Sequence, residues 1–201
     1  RNVTTGAFKS DSKSVGQRSI KNACLDYLMM LDDEEEILEL CEKQYQNANN
    51  MTDEMRALTC LANKDYDNQQ QSLDSFLHKW KDNSLVMNMW FSIQASSKLA
   101  KLAKIKELMN HPQFDVKNPN KLRALIGTFC GSNLINFHEA DGSGYEFLGD
   151  QIEILNTQNP QIAARLLSPL IRWRRYDKKR QAMMKSQLER ISKLPGLSRD
   201  V

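Results

Sequence analysis

Three histidines are the residues of this chain that first suggest metal chemistry. His78, His111 and His138 lie 33 and 27 residues apart. A zinc site on a helix needs two histidines four residues apart, so that both ring nitrogens reach one metal ion. Because this spacing does not occur, we interpret His78 as a packing or surface residue and His138 as a turn residue. The sequence therefore predicts no metal site within these residues.

Four cysteines, Cys24, Cys41, Cys60 and Cys130, are the candidate nucleophiles, and no two are closer than 17 residues. This spacing excludes a Cys-x-x-Cys metal or redox pair. Each cysteine has apolar neighbours at helical spacing, which predicts free and buried thiols. Free thiols are typical of a reducing compartment, so we expect a cytoplasmic protein. No other side chains form a credible catalytic constellation.

Two arginines have a spacing that favours anion binding. Arg123 follows Pro119 by four residues and Arg165 follows Pro160 by five, and each proline is preceded by asparagine. Asn-Pro is typical of a helix start, so both arginines should lie in the second turn of a helix. There the helix dipole, free N–H groups and a guanidinium would together suit a carboxylate ligand. The alternative is an ion pair with an Asp or Glu of the chain itself.

The net charge of +3 is unevenly distributed. Residues 151–201 carry eleven Lys and Arg against four Asp and Glu, whereas residues 1–150 carry a net negative charge. Most of the surplus lies between residues 172 and 180, where Trp173 and Tyr176 are interleaved with the cations. Such a segment could bind a polyanion, with the aromatic rings as stacking surfaces. A cluster of this size is more commonly a solvated helix face. Its basic members are Arg172, Arg174, Arg175, Lys178, Lys179 and Arg180.

The elements that must position these residues are helices, because the apolar residues repeat at i, i+3, i+4 and i+7. No sustained alternation of apolar and polar residues is present, which disfavours strands. Five such stripes are present. The first stripe consists of Ile20, Ala23, Cys24, Tyr27, Leu28 and Leu31. The other four lie at Leu73–Trp80, Val86–Ile93, Leu122–Phe129 and Met184–Ile191.

Helix starts are indicated at five places. Prolines after asparagine mark two of them, and an acidic first turn, Asp32–Glu36, marks another. A polar residue that can accept backbone hydrogen bonds marks the remaining two. These predicted cap residues are Thr52 and either Asp141 or Ser143.

About ten helices joined by short links predict an all-α fold. We expect an irregular α-solenoid, a superhelix of antiparallel helix pairs, because no fixed repeat period is present. We predict one helical domain over residues 1–201, with a weak break near 110–120. No apolar run approaches the roughly 20 residues of a membrane span, which excludes a transmembrane protein and a membrane partner.

Several longer motifs resemble the bacterial aminopeptidase N family in residue order and identity. The ordered series runs over about residues 18–200, nearly the whole chain. The motifs that carry the resemblance are residues 49–53, 85–91, 118–127, 131–133, 137–145, 159–166 and 175–177.

The resemblance implies that the chain is most of the C-terminal helical domain of a zinc aminopeptidase of the gluzincin type. In that family the zinc site lies in an upstream catalytic domain, and neither its His-Glu-x-x-His helix nor its Gly-Ala-Met-Glu-Asn motif occurs here. The resemblance further implies a domain that caps the catalytic domain and walls a cavity for peptide substrates. Arginines matching Arg123 and Arg165 line that cavity on the side of the substrate's C-terminal half. No catalytic residue and no cofactor are expected in this chain, which alone should be inactive.

An alternative remains from the residues themselves. A free-standing helical scaffold could bind acidic peptides or nucleic acid through the basic cluster at 172–180. Nucleic acid is the less favoured partner, since the chain is otherwise nearly neutral.

Overall fold

Helices are the only regular elements in the part of the chain that the computed structural model describes, residues 7–31 and 35–201. The all-α prediction is therefore confirmed. Ten of the helices have seven or more residues when α7, a π-helical turn and α8 are taken as the unbroken helix that they form. The α-helices are α1 Ser12–Leu28, α2 Glu35–Asn47, α3 Met51–Leu61, α4 Gln69–Trp80, α5 Ser84–Ser96, α6 Leu102–Met109, α7 Pro119–Leu122, α8 Thr128–Ser132, α9 Leu134–Phe137, α10 Ser143–Gln158, α11 Pro160–Leu166, α12 Ser168–Ile171 and α13 Lys178–Ser192. The π-turn is Arg123–Gly127, and a 3-10 turn is Trp173–Arg175.

Contacts between Cα atoms divide the chain into two compact units, Arg1–Lys79 and Trp80–Val201. The helices are also interrupted where the sequence indicated a weak break, since α6 ends at Met109 and α7 begins at Pro119. One domain over residues 1–201 stays a prediction. No described helix is both long enough and apolar enough to cross a membrane.

The core of the first unit lies between α1, α2 and α3. Its buried members are Leu25, Met29, Cys41, Ala57, Cys60 and Leu61. Asp53 is also buried, and it accepts hydrogen bonds from Lys21, Asn22 and Asn50. Burial alone would raise the pKa of Asp53, but these donors outweigh it and the pKa lies below its usual value. The carboxylate therefore stays ionised inside the unit.

The first apolar stripe does not form the core, which corrects the prediction for α1. Ile20 is 57% exposed and Tyr27 is 74% exposed. The opposite face is buried instead, with Arg18, Asn22 and Leu25 turned inward. This buried face packs on α3, where Asn22 donates a hydrogen bond to Asp53 at 2.8 Å. Periodicity found the helix but not the face that packs.

Cys24 belongs to this exposed face, so the expectation that all four thiols are buried is wrong for Cys24. The other three cysteines are buried as predicted, and none of the four is in a disulfide.

The core of the second unit forms around α5, the π-turn, α8 and α10, with α11 and α13 packed on α10. Edge-to-face aromatic contacts run through it. Phe129 lies 6.1 Å from Phe137 and 6.0 Å from Phe147 between ring centroids, and Phe137 lies 5.4 Å from Tyr145. The predicted stripe Leu122, Leu125, Ile126 and Phe129 is buried throughout.

The two Asn-Pro helix starts are confirmed. Asn118 caps α7 and Asn159 caps α11, each with its side-chain oxygen accepting backbone N–H groups. The other cap predictions need correction. Asn50, not Thr52, caps α3, because its side chain reaches the N–H of Asp53 at 3.0 Å.

Gly142 is the residue that caps α10, not Asp141 or Ser143. It has a left-handed φ of 79°, which glycine adopts without strain. Asp141 still accepts from the N–H of Ser143 at 2.9 Å. Of the predicted acidic start, Glu35 and Glu36 lie in the first turn of α2, and residues 32–34 lie outside the described part.

Candidate functional site

Arg123 lies at the first residue of the π-turn and is exposed. The sequence places it four residues after Pro119, and the structure keeps it beside that helix start. The predicted free N–H groups are not free, because the side-chain oxygen of Asn118 accepts from Asn120 and Lys121 at 3.0 and 3.4 Å. The guanidinium, not the helix end, is therefore the group that can bind an anion here.

The guanidinium of Arg123 is held by its own helix. Its Nε donates to the Pro119 carbonyl oxygen at 3.2 Å, and its Nη2 donates to the Asn120 side-chain oxygen at 2.8 Å. Among the described residues no carboxylate forms an ion pair with Arg123 or with Arg165. Both arginines thus keep a positive charge that no ion pair within residues 7–31 and 35–201 neutralises.

The π-turn that carries Arg123 is supported by two hydroxyl groups. Ser92 donates to the carbonyl oxygen of Ala124 at 3.1 Å. Thr128 approaches the carbonyl oxygen of Arg123 at 3.3 Å and the hydroxyl of Ser92 at 3.4 Å. A π-turn shifts the backbone hydrogen-bond register by one residue, and such turns are frequent at functional sites. These hydroxyls give the shifted carbonyl groups additional donors.

Arg165 is exposed in the last turn of α11. The π-turn and α11 approach closely at Gly127. A Cβ added to Gly127 would stand 3.4 Å from Leu166 Cδ2 and 3.8 Å from the Cβ of Arg123. Leu166 directly follows Arg165 in the chain. The two predicted binding residues are therefore on elements that are in contact where the Leu166 side chain approaches Gly127.

His138 is buried in the second unit and shares a hydrogen bond with Tyr145, with 2.9 Å between its Nδ1 and the phenol oxygen. Its ring also lies 4.2 Å from that of Tyr176, measured between centroids. Burial lowers the pKa of His138, and the charge of Arg180 lowers it further. His138 lies in a turn as the C-cap of α9, as the sequence predicted, and its ring is packed and neutral.

The remaining histidines lie elsewhere. His78 is exposed on α4, whereas His111 packs on Trp90 with ring centroids 5.1 Å apart. No three His, Cys, Asp or Glu side chains are grouped to hold a metal ion in the described part of the chain. The residues described here therefore do not fit a zinc ion.

The basic cluster is not one surface. Arg172, Arg174, Arg175, Lys178 and Lys179 are exposed, and Arg174 lies over the Trp173 ring at 4.4 Å. Arg180 has a different environment, because it donates to the carbonyl oxygen of His138 at 2.9 Å and pairs with Asp177 at 2.8 Å. Arg180 thus links the start of α13 to the turn at His138, and the other five cations are the ones available to a ligand.

Two residues near Arg123 were missed at the level of the sequence. Asn120 lies three residues before Arg123, a spacing that places two side chains on one helix face, and this was the signal that could have found it. Lys121 is buried, with its amine 5.6 Å from the centre of the Phe91 ring. Burial lowers the pKa of Lys121. Nothing in its local sequence distinguishes it from an exposed helix lysine.

Curated relatives of this chain are aminopeptidases. Aminopeptidase N of Escherichia coli strain K12 is 40% identical over 196 residues, which cover 96% of this chain and 22% of the relative. Aminopeptidase N of Haemophilus influenzae is 40% identical over 195 residues, with the same two shares. That of Caulobacter vibrioides is 38% identical over 197 residues, 98% of this chain and 23% of the relative. The chain thus spans less than a quarter of each relative.

Among solved structures, that of Legionella pneumophila aminopeptidase A in complex with aspartic acid is similar to this chain. The TM-score is 0.86 and the sequence identity 35%, and the match covers 98% of this chain and 24% of the other. The resemblance to bacterial aminopeptidase N is confirmed by these matches. A family model described as a domain of unknown function with ARM repeats matches residues 1–201, in agreement with a helical solenoid, and the chain belongs to that family, DUF3458_C.

Proposed function

We propose that this chain is the helical domain of a larger zinc aminopeptidase, which removes N-terminal residues from peptides. The domain caps the catalytic domain of the same polypeptide and walls the cavity that receives the substrate. Support comes from the aminopeptidase N relatives, which match nearly all of this chain over about a fifth of their own length. The chemistry of bond cleavage then belongs to the rest of the polypeptide.

In this proposal Arg123 and Arg165 bind the C-terminal side of the peptide. The observation that carries it is that both are exposed, lack an ion pair in the described part and lie on elements that meet at Gly127. An arginine can clasp a carboxylate with two parallel hydrogen bonds, which fixes both position and orientation. Neither residue takes part in bond cleavage.

Zinc, when bound in the full-length enzyme, would activate the attacking water. The described residues offer no group for it, so no step of the reaction is assigned to a metal held here. We expect the isolated chain to hydrolyse no aminoacyl substrate when zinc is added. Turnover that depends on added zinc would contradict this proposal.

The binding role is tested in the full-length enzyme with Arg123→Ala and Arg165→Ala. We expect the KM for dipeptides to rise about tenfold, because each substitution removes a charged hydrogen-bond donor to the substrate carboxylate. The KM for uncharged aminoacyl amides should change little. Arg199→Ala removes another exposed arginine and serves as the matched control. Equal effects of Arg123→Ala and Arg165→Ala on both substrates would remove the carboxylate-binding role.

A cytoplasmic location belongs to the same proposal. All four cysteines are free thiols, which supports a reducing compartment.

A second candidate, a polyanion-binding scaffold, is favoured by the five exposed cations at 172–179. None of them forms an ion pair in the described part of the chain. It predicts binding to an oligonucleotide or an acidic peptide that weakens as salt rises and is lost when Arg174, Arg175 and Lys179 are neutralised. Binding that survives these substitutions would reject it.

A further inference from the structure

We propose that Asn120 is a positioning residue for Arg123, which sets the edge of the guanidinium that meets a ligand carboxylate. This inference rests on the proposed binding role of Arg123. It goes beyond that role because it assigns a task to a neutral residue and predicts the direction of approach.

The argument begins with the geometry of the guanidinium. Its five N–H donors are arranged in a planar fork. Nε and the near hydrogen of Nη2 form one edge, and the far hydrogen of Nη1 with the far hydrogen of Nη2 forms the end of the fork. Pro119 and Asn120 accept from Nε and Nη2, at 3.2 and 2.8 Å, and so occupy the first edge. Within the described residues the end of the fork has no partner.

A carboxylate therefore finds two parallel N–H groups only at the end of the fork. Bidentate binding there adds geometric specificity to the charge attraction. The backbone beneath is also restrained, because Ser92 and Thr128 donate to carbonyl oxygens of the π-turn. Arg123 thus meets its ligand with little rotamer freedom left to lose, which favours binding.

The neutrality of Asn120 matters as much as its position. An amide oxygen orients the guanidinium without cancelling its charge. A carboxylate at the same place would form an ion pair with Arg123 and repel a second carboxylate. Asn120→Ala and Asn120→Asp therefore separate orientation from charge. The first removes the acceptor, and the second keeps an acceptor and adds a competing negative charge.

The experiment uses the full-length enzyme and two substrates, a dipeptide with a free C-terminal carboxylate and the same dipeptide as its amide. The measured quantity is the KM of the dipeptide divided by the KM of its amide, and kcat is followed in parallel. We expect Asn120→Ala to raise the ratio about threefold to fivefold and Asn120→Asp to raise it about tenfold or more. Asn110→Ala is the matched control, since Asn110 is exposed and its side chain donates to its own helix, to Lys106 O at 3.0 Å.

Each outcome has one meaning. If Arg123→Ala raises the ratio but neither Asn120 variant does, the positioning role is wrong and the proposed function stands. If Arg123→Ala leaves the ratio unchanged, the proposed carboxylate-binding role of Arg123 itself fails, and the positioning role of Asn120 fails with it. If Asn120→Ala impairs both substrates equally or lowers the thermal stability in step with activity, Asn120 is a structural residue and the inference is overturned.

Discussion

Asp53 and His138 are both buried titratable side chains, and their surroundings favour opposite charge states. Lys21 and two asparagines donate to Asp53, so the ionised carboxylate is kept although burial opposes it. His138 instead faces a phenol, and Arg180 lies nearby, so the neutral imidazole is kept. Residue identity alone does not decide the charge of a buried group, because its partners do.

Acid should destabilise the chain through His138. Its pKa in the folded state is lowered by burial and by Arg180, so the unfolded state binds the proton more readily. The stabilising contribution is complete above the unfolded pKa of about 6.5 and is lost as the pH falls toward the folded pKa. We expect Tm to fall less between pH 7.5 and 5.5 in His138→Gln than in the wild-type chain, measured by circular dichroism. An equal fall in both proteins would contradict this explanation.

The four thiols should differ in reactivity. Cys24 is exposed, whereas burial raises the pKa of Cys130, and the neighbouring Cys60 thiol together with burial raises that of Cys41. The thiolate is the reactive form, so buried thiols with raised pKa values react slowly. We expect one equivalent to react rapidly with iodoacetamide at pH 8 and the others only after unfolding. Mass spectrometry should find the rapid label on Cys24, and Cys24→Ser should abolish the rapid phase.

At the scale of elements, α9 and α10 meet at Gly144. A Cβ there would stand 2.3 Å from the carbonyl oxygen of Phe137, a contact that backbone cannot easily relieve. We expect Gly144→Ala to destabilise the chain by about 3 kcal/mol, measured by urea unfolding. Gly131→Ala is the control, because its Cβ would meet nothing within 4 Å on a helix. It should be neutral or stabilising by about 0.5–1 kcal/mol. Similar losses in both variants would show that the close approach does not matter.

Helix positions were predictable because they depend on local rules. The caps Asn118 and Asn159 followed from the Asn-Pro pairs, and the stripe Leu122–Phe129 is buried as predicted. The inward face of α1 was not predictable, since the partners of the buried Asn22 side chain, Gln44 and Asp53, lie 22 and 31 residues away. Residues distant in the sequence decide which face of the helix packs, and the local apolar repeat gives no information about them.

The candidate site was predictable in part. The Asn-Pro spacing singled out Arg123 and Arg165, and the family motifs agreed. The π-turn was not predictable, because Ser92 lies on another helix and its hydrogen bond to Ala124 depends on the packing of α5. The edge of Arg123 that Asn120 occupies likewise depends on side-chain rotamers, which a spacing rule does not specify.

At the scale of the whole molecule, α1 presents an apolar face where a free-standing protein would place polar residues. Ile20 and Tyr27 lie opposite the face that packs on α3. In stacked helical repeats a terminal unit needs a polar outer face, whereas an internal unit is apolar on both sides. The outer face of α1 is apolar, like that of an internal unit. It therefore fits a position inside a longer array, consistent with relatives more than four times as long.

The isolated chain should consequently associate through α1, because exposed apolar patches of this kind promote contacts between proteins. We expect the wild-type chain to show a concentration-dependent rise in mass by analytical ultracentrifugation, and Ile20→Glu to shift it toward the monomer. Ile171→Glu is the matched control, since Ile171 in the second unit is 56% exposed against 57% for Ile20. If both substitutions have the same effect, general hydrophobicity and not this face drives association. If Ile20→Glu alone acts, the outer face of α1 is the surface through which the isolated chain associates.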